Sequence, residues 1–262
     1  MNIHRWYRGL GTALSFTAFG IGGLFIGLFI APLLSLCVHN PERRHYLARR
    51  LIQRCFLAFI NMMNGLGVLD YRLENQERLM RPGLLVIANH PSLIDVVFLL
   101  AHMPHANCIV KGRLAHNLFT RGPIRAAGYI TNDEPEAVLE AARESLRKGD
   151  SLILFPEGTR TSPKRPIKFR RGGANIALRT GTAITPVLIR CTPTTLTKGE
   201  PWYHIPASKV RMELRVLDDL PVKSDSQQPT GQLARQLTQR LSEHFNRELD
   251  HFHHERKLQP DA

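Results

Sequence analysis

Hydrophobic positions fall along this chain in three patterns, and each predicts a different kind of element. From Gly9 to Val38 there is no Asp, Glu, Lys or Arg, and Leu24, Phe25, Ile26, Leu28, Phe29 and Ile30 crowd the second half of the run. The run exceeds the ~20 apolar residues a spanning helix needs and the ~7–15 of a signal peptide's apolar region. Gly11, Gly20, Gly22, Gly23 and Gly27 would weaken a helix in water, whereas membranes tolerate them. A membrane anchor is therefore expected, as one span or, if Pro32 and the glycines bend it, as a hairpin that dips in and returns. Arg5 and Arg8 precede the run, and Arg43, Arg44, Arg49, Arg50 and Arg54 follow it. The positive-inside bias then leaves the body in the cytoplasm.

The second pattern, Tyr46 to Leu69, interleaves arginines with Leu51, Ile52, Phe56, Leu57, Phe59 and Ile60. It reads as a basic amphipathic helix, lying on an anionic surface or packed on the body with its arginines in water. The third pattern is short apolar runs alternating with helical stripes. Leu84 to Ala88, Cys108 to Val110, Ser151 to Phe155 and Ala183 to Ile189 suit strands buried on both faces. Val210, Met212, Leu214 and Val216 alternate with Arg211, Glu213 and Arg215, as in a strand with one wet face. Ser92 to Met103 and Gly172 to Thr180 read as helices. Asp133 is placed to cap another, with Val138, Leu139, Ala142 and Leu146 as its apolar face and Gly149 as its end.

Strand–helix alternation implies an α/β fold. Three parts are expected: an anchor and amphipathic helix (1–70), an α/β domain (71–220) and a C-terminal amphipathic helix (221–262). In the last, Leu233, Leu237, Leu241, Phe245, Leu249 and Phe252 form a stripe suited to the core or to a membrane surface.

Composition narrows the partners. A net charge of +13 over 262 residues points to something acidic: lipid head groups, phosphorylated substrates, an acidic carrier protein or nucleic acid. Nucleic acid lacks a recognisable binding motif here. Cys37, Cys55, Cys108 and Cys191 are far apart, which argues against a disulfide framework or zinc ribbon. His251, His253 and His254 have no partners at ligand spacing, so no metal site is expected.

Two segments carry candidate chemistry. His90 follows a buried strand, where α/β proteins place active-site residues. Asn89 or His90 can cap the next helix with Pro91 as its first residue, and Asp95 follows about one turn in. On one continuous helix His90 and Asp95 would point ~140° apart; the proline break lets a non-helical His90 fold back. A neutral histidine with a carboxylate on one nitrogen can take a proton through the other. Taken alone, such a pair is as readily structural. Phe155-Pro156-Glu157-Gly158-Thr159-Arg160 also follows a buried strand, and brings backbone donors, a hydroxyl and a guanidinium to one place, as an anion site needs. Lys164, Arg165, Lys168, Arg170 and Arg171 come next. G-x-S-x-G, P-loop, G-x-G-x-x-G and H-E-x-x-H patterns are missing.

In this order, the two segments resemble the lysophosphatidic acid acyltransferase family. Asn89, His90 and Asp95 match N-H-x-x-x-x-D, and Phe155 to Arg160 match F-P-E-G-T-R. Ile184-Thr185-Pro186-Val187 resembles the fourth motif, and Lys111, Leu114, Gly122 and Pro123 the approach to the second. The likeness covers about residues 80 to 220. It implies a glycerolphosphate-acyltransferase-like mixed sheet flanked by helices, in an enzyme of the bacterial inner membrane. His90 would be general base and Asp95 its orienter. Glu157, Gly158, Thr159 and Arg160 would bind substrate, with Lys111 as a further anion contact.

The resemblance also implies acyl carrier protein or coenzyme A as acyl donor, membrane lipids as partners, and no cofactor, metal or acyl-enzyme. The implied product is phosphatidic acid from 1-acyl-sn-glycerol 3-phosphate. One departure stands out: Gly128 to Glu134 lacks the arginine that ends the family's second motif. Arg121, Arg125 or Arg171 would have to replace it. Otherwise the acceptor differs, as in relatives acting on lyso-ornithine lipid or in aryl polyene assembly. An inactive basic membrane-surface protein and a hydrolase using His90 are the competing classes.

Overall fold

The apolar runs without alternation form the centre of a single sheet. The structure, a computed structural model, describes residues 3–162, 165–222 and 230–257, so Lys164 and most of the 221–231 link lie outside the described residues. The chain begins with α1 (Ile3–Phe25), a π-helical turn (Ile26–Ile30), α2 (Ala31–Cys37) and α3 (Pro41–Gly65). Then come β1 (Leu69–Glu74), a 3-10 turn (Gln76–Met80), β2 (Leu85–Ala88), α4 (Asp95–His102), β3 (Ala106–Val110), α5 (Gly112–His116), α6 (Arg121–Ala127) and β4 (Ile130–Thr131). It ends with α7 (Pro135–Arg147), β5 (Ser151–Leu154), α8 (Gly172–Thr180), β6 (Ile184–Thr192), β7 (Val210–Val216) and α9 (Thr230–Lys257).

The sheet order is β1-β7-β6-β2-β5-β3-β4. Neighbours are parallel except β6 and β7, so the pair β1–β7 runs against the other five. Every residue of β2 and β5 is buried, and their alternate side chains supply two cores. Val86, Ala88 and Ile153 pack with Phe59, Ile60 and Met63 of α3 and Phe98 and Leu99 of α4. On the other face Leu85, Ile87, Leu152 and Leu154 meet Ala142 of α7, Ile176 of α8, and Leu241 and Phe245 of α9. The last stripe is thus core.

Four expectations change. The helix predicted to run to Leu69 stops at Gly65; Gly67 turns the chain at φ +67°, and edge strand β1 follows. Asp133 does not cap α7, whose N-cap is Glu134 without a side-chain bond. The wet face of β7 is closed: Glu213 pairs with Arg190 (Nη2–Oε2, 2.7 Å), and Phe252 of α9 covers Arg190, its ring 4.3 Å from the guanidinium carbon.

The fourth concerns Pro32, which does not reverse the chain; Ile3 to Cys37 is one rod. Just before Pro32 the ladder widens to the π pattern, Ala31 N–H donating to Ile26 O, which accommodates the ring and missing N–H of a proline inside a helix. One face of this rod follows the body. Arg5 Nε donates to Ile205 O (2.9 Å), Phe19 packs on Phe59 (5.3 Å between ring centres), and a Cβ on Gly122 would lie 2.2 Å from Gly27 Cα. The other face exposes Trp6, Leu10, Leu14, Ile21, Phe25 and Phe29.

Candidate active site

β2, β5 and β3 are adjacent and parallel, so the segments leaving their C-terminal ends converge. Residue 90 leaves β2, residues 155–160 leave β5, and Lys111 leaves β3. This is where α/β sheets bind ligands. Asn89 fixes the end of β2: its amide donates to Ile189 O (2.8 Å) and accepts from Ile189 N–H (2.7 Å).

The helix expected from Ser92 begins only at Asp95. Leu93 N–H goes to Leu196 O (3.2 Å) instead of a helical partner, and residues 91–94 form a turn. This turn brings the pair together. His90 Nδ1 donates to Asp95 Oδ2 (2.8 Å), and Ser92 N–H donates to the same oxygen (2.7 Å). No described hydrogen bond engages His90 Nε2. The His90 ring stacks on Phe155, 4.4 Å between centres. Asp95 is fully buried; burial pushes its carboxyl up, and the His90 and Ser92 donors oppose that. Among the described residues, no protein group hydrogen-bonds Asp95 Oδ1.

The β5 loop braces this arrangement. His90 N–H donates to Glu157 Oε1 (3.0 Å) and Thr161 Oγ1 (2.9 Å). Thr161 Oγ1 donates to Glu157 Oε1 (2.5 Å), and Thr161 N–H to His90 O (2.7 Å). Burial raises the Glu157 carboxyl, against these two donors. Gly158 turns at φ +68°, and a Cβ there would meet the Arg170 guanidinium at 3.0 Å. Arg160 Nη1 donates to Leu196 O (2.5 Å).

Lys111 is held below the usual lysine range by burial first, then by the positive charges of Arg113, Arg160, Lys198 and Arg170. Each of these four charges acts on Lys111, and guanidinium and ammonium groups are those that phosphate recognition uses.

Of the residues singled out from the sequence, His90, Asp95, Glu157, Gly158, Arg160 and Lys111 converge. Thr159 has no described hydrogen bond; Thr161 supplies the hydroxyl. Glu157 faces the backbone of His90, not its ring. Arg121 and Arg125 line a different cavity, beside α1. Thr161, Arg113, Lys198 and Leu196 were missed, as was the stacking of Phe155 on the His90 ring. Leu196 carries a positive φ of +55°, sparse for such a residue, while its carbonyl anchors both Leu93 and Arg160. The T-R-T run in residues 159–161 was the one visible signal.

The profile of the Acyltransferase family matches residues 70–190. The chain is 26% identical over 208 residues to a 1-acyl-sn-glycerol-3-phosphate acyltransferase of Saccharomyces cerevisiae, covering 76% of this chain and 66% of that protein. It is 27% identical over 180 residues to the one from Pseudomonas aeruginosa, covering 66% of each. The chain thus spans 66% of the length of both relatives. Its fold is similar to the crystal structure of the 1-acyl-sn-glycerophosphate acyltransferase PlsC of Thermotoga maritima. The TM-score is 0.62 at 21% identity, over 92% of this chain and 97% of that one. Over residues 70–190 the chain thus matches the Acyltransferase family, and it is similar to 1-acyl-sn-glycerol-3-phosphate acyltransferases.

Proposed function

We propose that this protein transfers an acyl group from a thioester of acyl carrier protein or coenzyme A to the hydroxyl of a lysophospholipid, 1-acyl-sn-glycerol 3-phosphate, giving phosphatidic acid. The observation that carries this reading is the His90–Asp95 pair at the end of β2, with Lys111 leaving the end of β3 and Arg160 the end of β5 in the same sheet. His90 Nε2 takes the proton of the acceptor hydroxyl as its oxygen attacks the thioester carbonyl. Asp95 holds the tautomer and stabilises the imidazolium. The carbon–sulfur bond breaks, and the thiolate leaves with the proton returned from His90. These cations suit a dianionic headgroup better than a zwitterionic one, so a phosphate monoester is the acceptor class. Glu157 and Thr161 hold the His90 backbone.

The Ile3–Cys37 helix, with a mean hydropathy of 2.1 over its most apolar window and 6% of that window buried, serves as anchor in the inner membrane of a bacterium. The body then lies on the cytoplasmic side, as the flanking arginines favour. The test is thiol release and lipid product with purified protein, acyl-carrier-protein and coenzyme A donors, and a panel of lysolipids. Phosphatidate formed by the wild type and lost in His90→Ala supports the reading. Thiol release without acylated product would make the protein a hydrolase; no thiol release with any pair would make it an inactive surface protein.

A further inference from the structure

A cavity of ≈480 Å³ lies between the N-terminal rod and α6, within the size range of ligand sites. It shares no lining residue with the site around His90. One wall is a helical face at i, i+4, i+7 spacing, Leu24, Leu28 and Ala31, continued by Leu34, with Leu118 opposite. The other wall carries Arg44, Arg121 and Arg125, and the lining contains no Asp or Glu. Among the described residues none of these guanidinium groups has an ion pair or a side-chain hydrogen bond, although the same chain pairs Arg49, Arg81, Arg190 and Arg215 with carboxylates. His45, also in the lining, is held below the usual imidazole range by burial and then by Arg49, Arg44 and Lys148. The two walls are held by backbone contact between lining residues: a Cβ on Gly122 would lie 2.2 Å from Gly27 Cα. Close glycine crossings of this kind lock helices together in membranes.

Unpaired arginines facing an apolar helical wall make an amphipathic slot. We infer that this cavity is a second, non-catalytic lipid site, which takes an anionic phospholipid with its phosphate on Arg44, Arg121 and Arg125 and its acyl chain along Leu24, Leu28 and Leu118. Free phosphate would satisfy the arginines but leave the apolar wall uncovered. A zwitterionic lipid would cover the wall but bring an ammonium group to an already positive rim. The inference rests on the membrane reading of the N-terminal rod and is independent of the chemistry at His90.

The test is native mass spectrometry of the full-length protein in neutral detergent, titrated with dioleoyl phosphatidylglycerol, dioleoyl phosphatidylcholine or inorganic phosphate. Phosphatidylglycerol is expected to be retained over phosphatidylcholine. Arg121→Gln/Arg125→Gln should weaken its binding about thirtyfold, at roughly one surface-lipid interaction per arginine, with an unchanged melting midpoint. Arg121→Lys/Arg125→Lys should recover most of the loss, which a folding defect would not allow. His90→Ala should bind phosphatidylglycerol as the wild type does, so loss of acyl transfer and loss of lipid binding remain separate results. Equal retention of both lipids, or displacement of phosphatidylglycerol by millimolar phosphate, would overturn the inference. So would stoichiometric competition between phosphatidylglycerol and lysophosphatidate, which would assign the arginines to the acceptor.

Discussion

Two aspartates stand at opposite ends of the same parallel strands, and they are treated differently. Asp150, just before β5, meets a permanent cation: Arg49 Nη1 lies 2.7 Å from its Oδ2, and Ser145 Oγ donates at 3.0 Å. Arg49 is itself buried and also bonds Ala127 O (2.8 Å). Asp95, which opens α4 after the turn that follows β2, meets a histidine, and among the described residues no group hydrogen-bonds its Oδ1. The Arg49–Asp150 pair therefore ties α3 to the body. The His90–Asp95 pair instead joins an imidazole to a buried carboxylate whose value burial raises, the kind of perturbed group that clusters at functional sites.

Activity measurements would sharpen this contrast most. His90→Ala should reduce acyl transfer by roughly 10²–10⁴-fold, the range of a positioned general base, with the melting midpoint little changed. Asp95→Asn should cost less, on the order of 10²-fold, since the base survives but loses its orienting carboxylate. Both are read as kcat/KM by thiol release. If Asp95→Asn kept full activity while Arg49→Ala abolished it, the roles assigned to the two aspartates would be reversed.

How far the sequence foresaw this contrast depends on how local each feature is. The runs of β2 and β5 lack alternation because both faces are covered, so they were legible, as was α8 with its bounds Gly172–Thr180. His90, Asp95 and the Phe155–Arg160 stretch were legible because each sits directly after such a run. The turn at 91–94 was not, because Leu196, a hundred residues away in the chain, takes the Leu93 N–H. Arg49 read as one of several solvated arginines; only the packing of α3 shows which of them reaches Asp150. Arg113 and Lys198 join the site for the same reason, through neighbours that no local pattern encodes. β1 was lost because its alternation follows a long helical stripe, and only Gly67 marks the break.

Arg49→Ala probes the structural half of the comparison. Breaking a fully buried pair costs ~3–5 kcal/mol. Asp150 keeps a quarter of its side chain in water (24% exposed), so about 2 kcal/mol is expected. That lowers the melting midpoint by about 4–8 °C for a domain of this size. Residual activity at low temperature should be near wild type, because the described partners of Arg49, Asp150 and Ala127 O, lie away from the C-terminal ends of β2 and β5. A midpoint within a degree of wild type would show that Asp150 is satisfied by solvent and that the Arg49–Asp150 pair is dispensable to the fold.

The smallest effect tests whether the His90 end is held at a cost in stability. Burial holds the Glu157 carboxyl above its ordinary value, more than Thr161 and the His90 N–H offset. Below the unfolded-state value Glu157 is protonated in both states and carries no penalty. Between that value and the raised folded value, the unfolded chain binds fewer protons than the folded one, so stability falls as pH rises through the window. Above the window the penalty is complete. Glu157→Gln keeps an acceptor for both donors and removes the charge. Its melting midpoint should coincide with wild type near pH 4, move ahead as pH rises, and stay ahead at pH 8. A variant that melts below wild type at pH 8 would mean that the carboxylate strengthens its hydrogen bonds by more than burial weakens it, and that this end of the sheet, like the Arg49–Asp150 end, uses its charge to hold the fold.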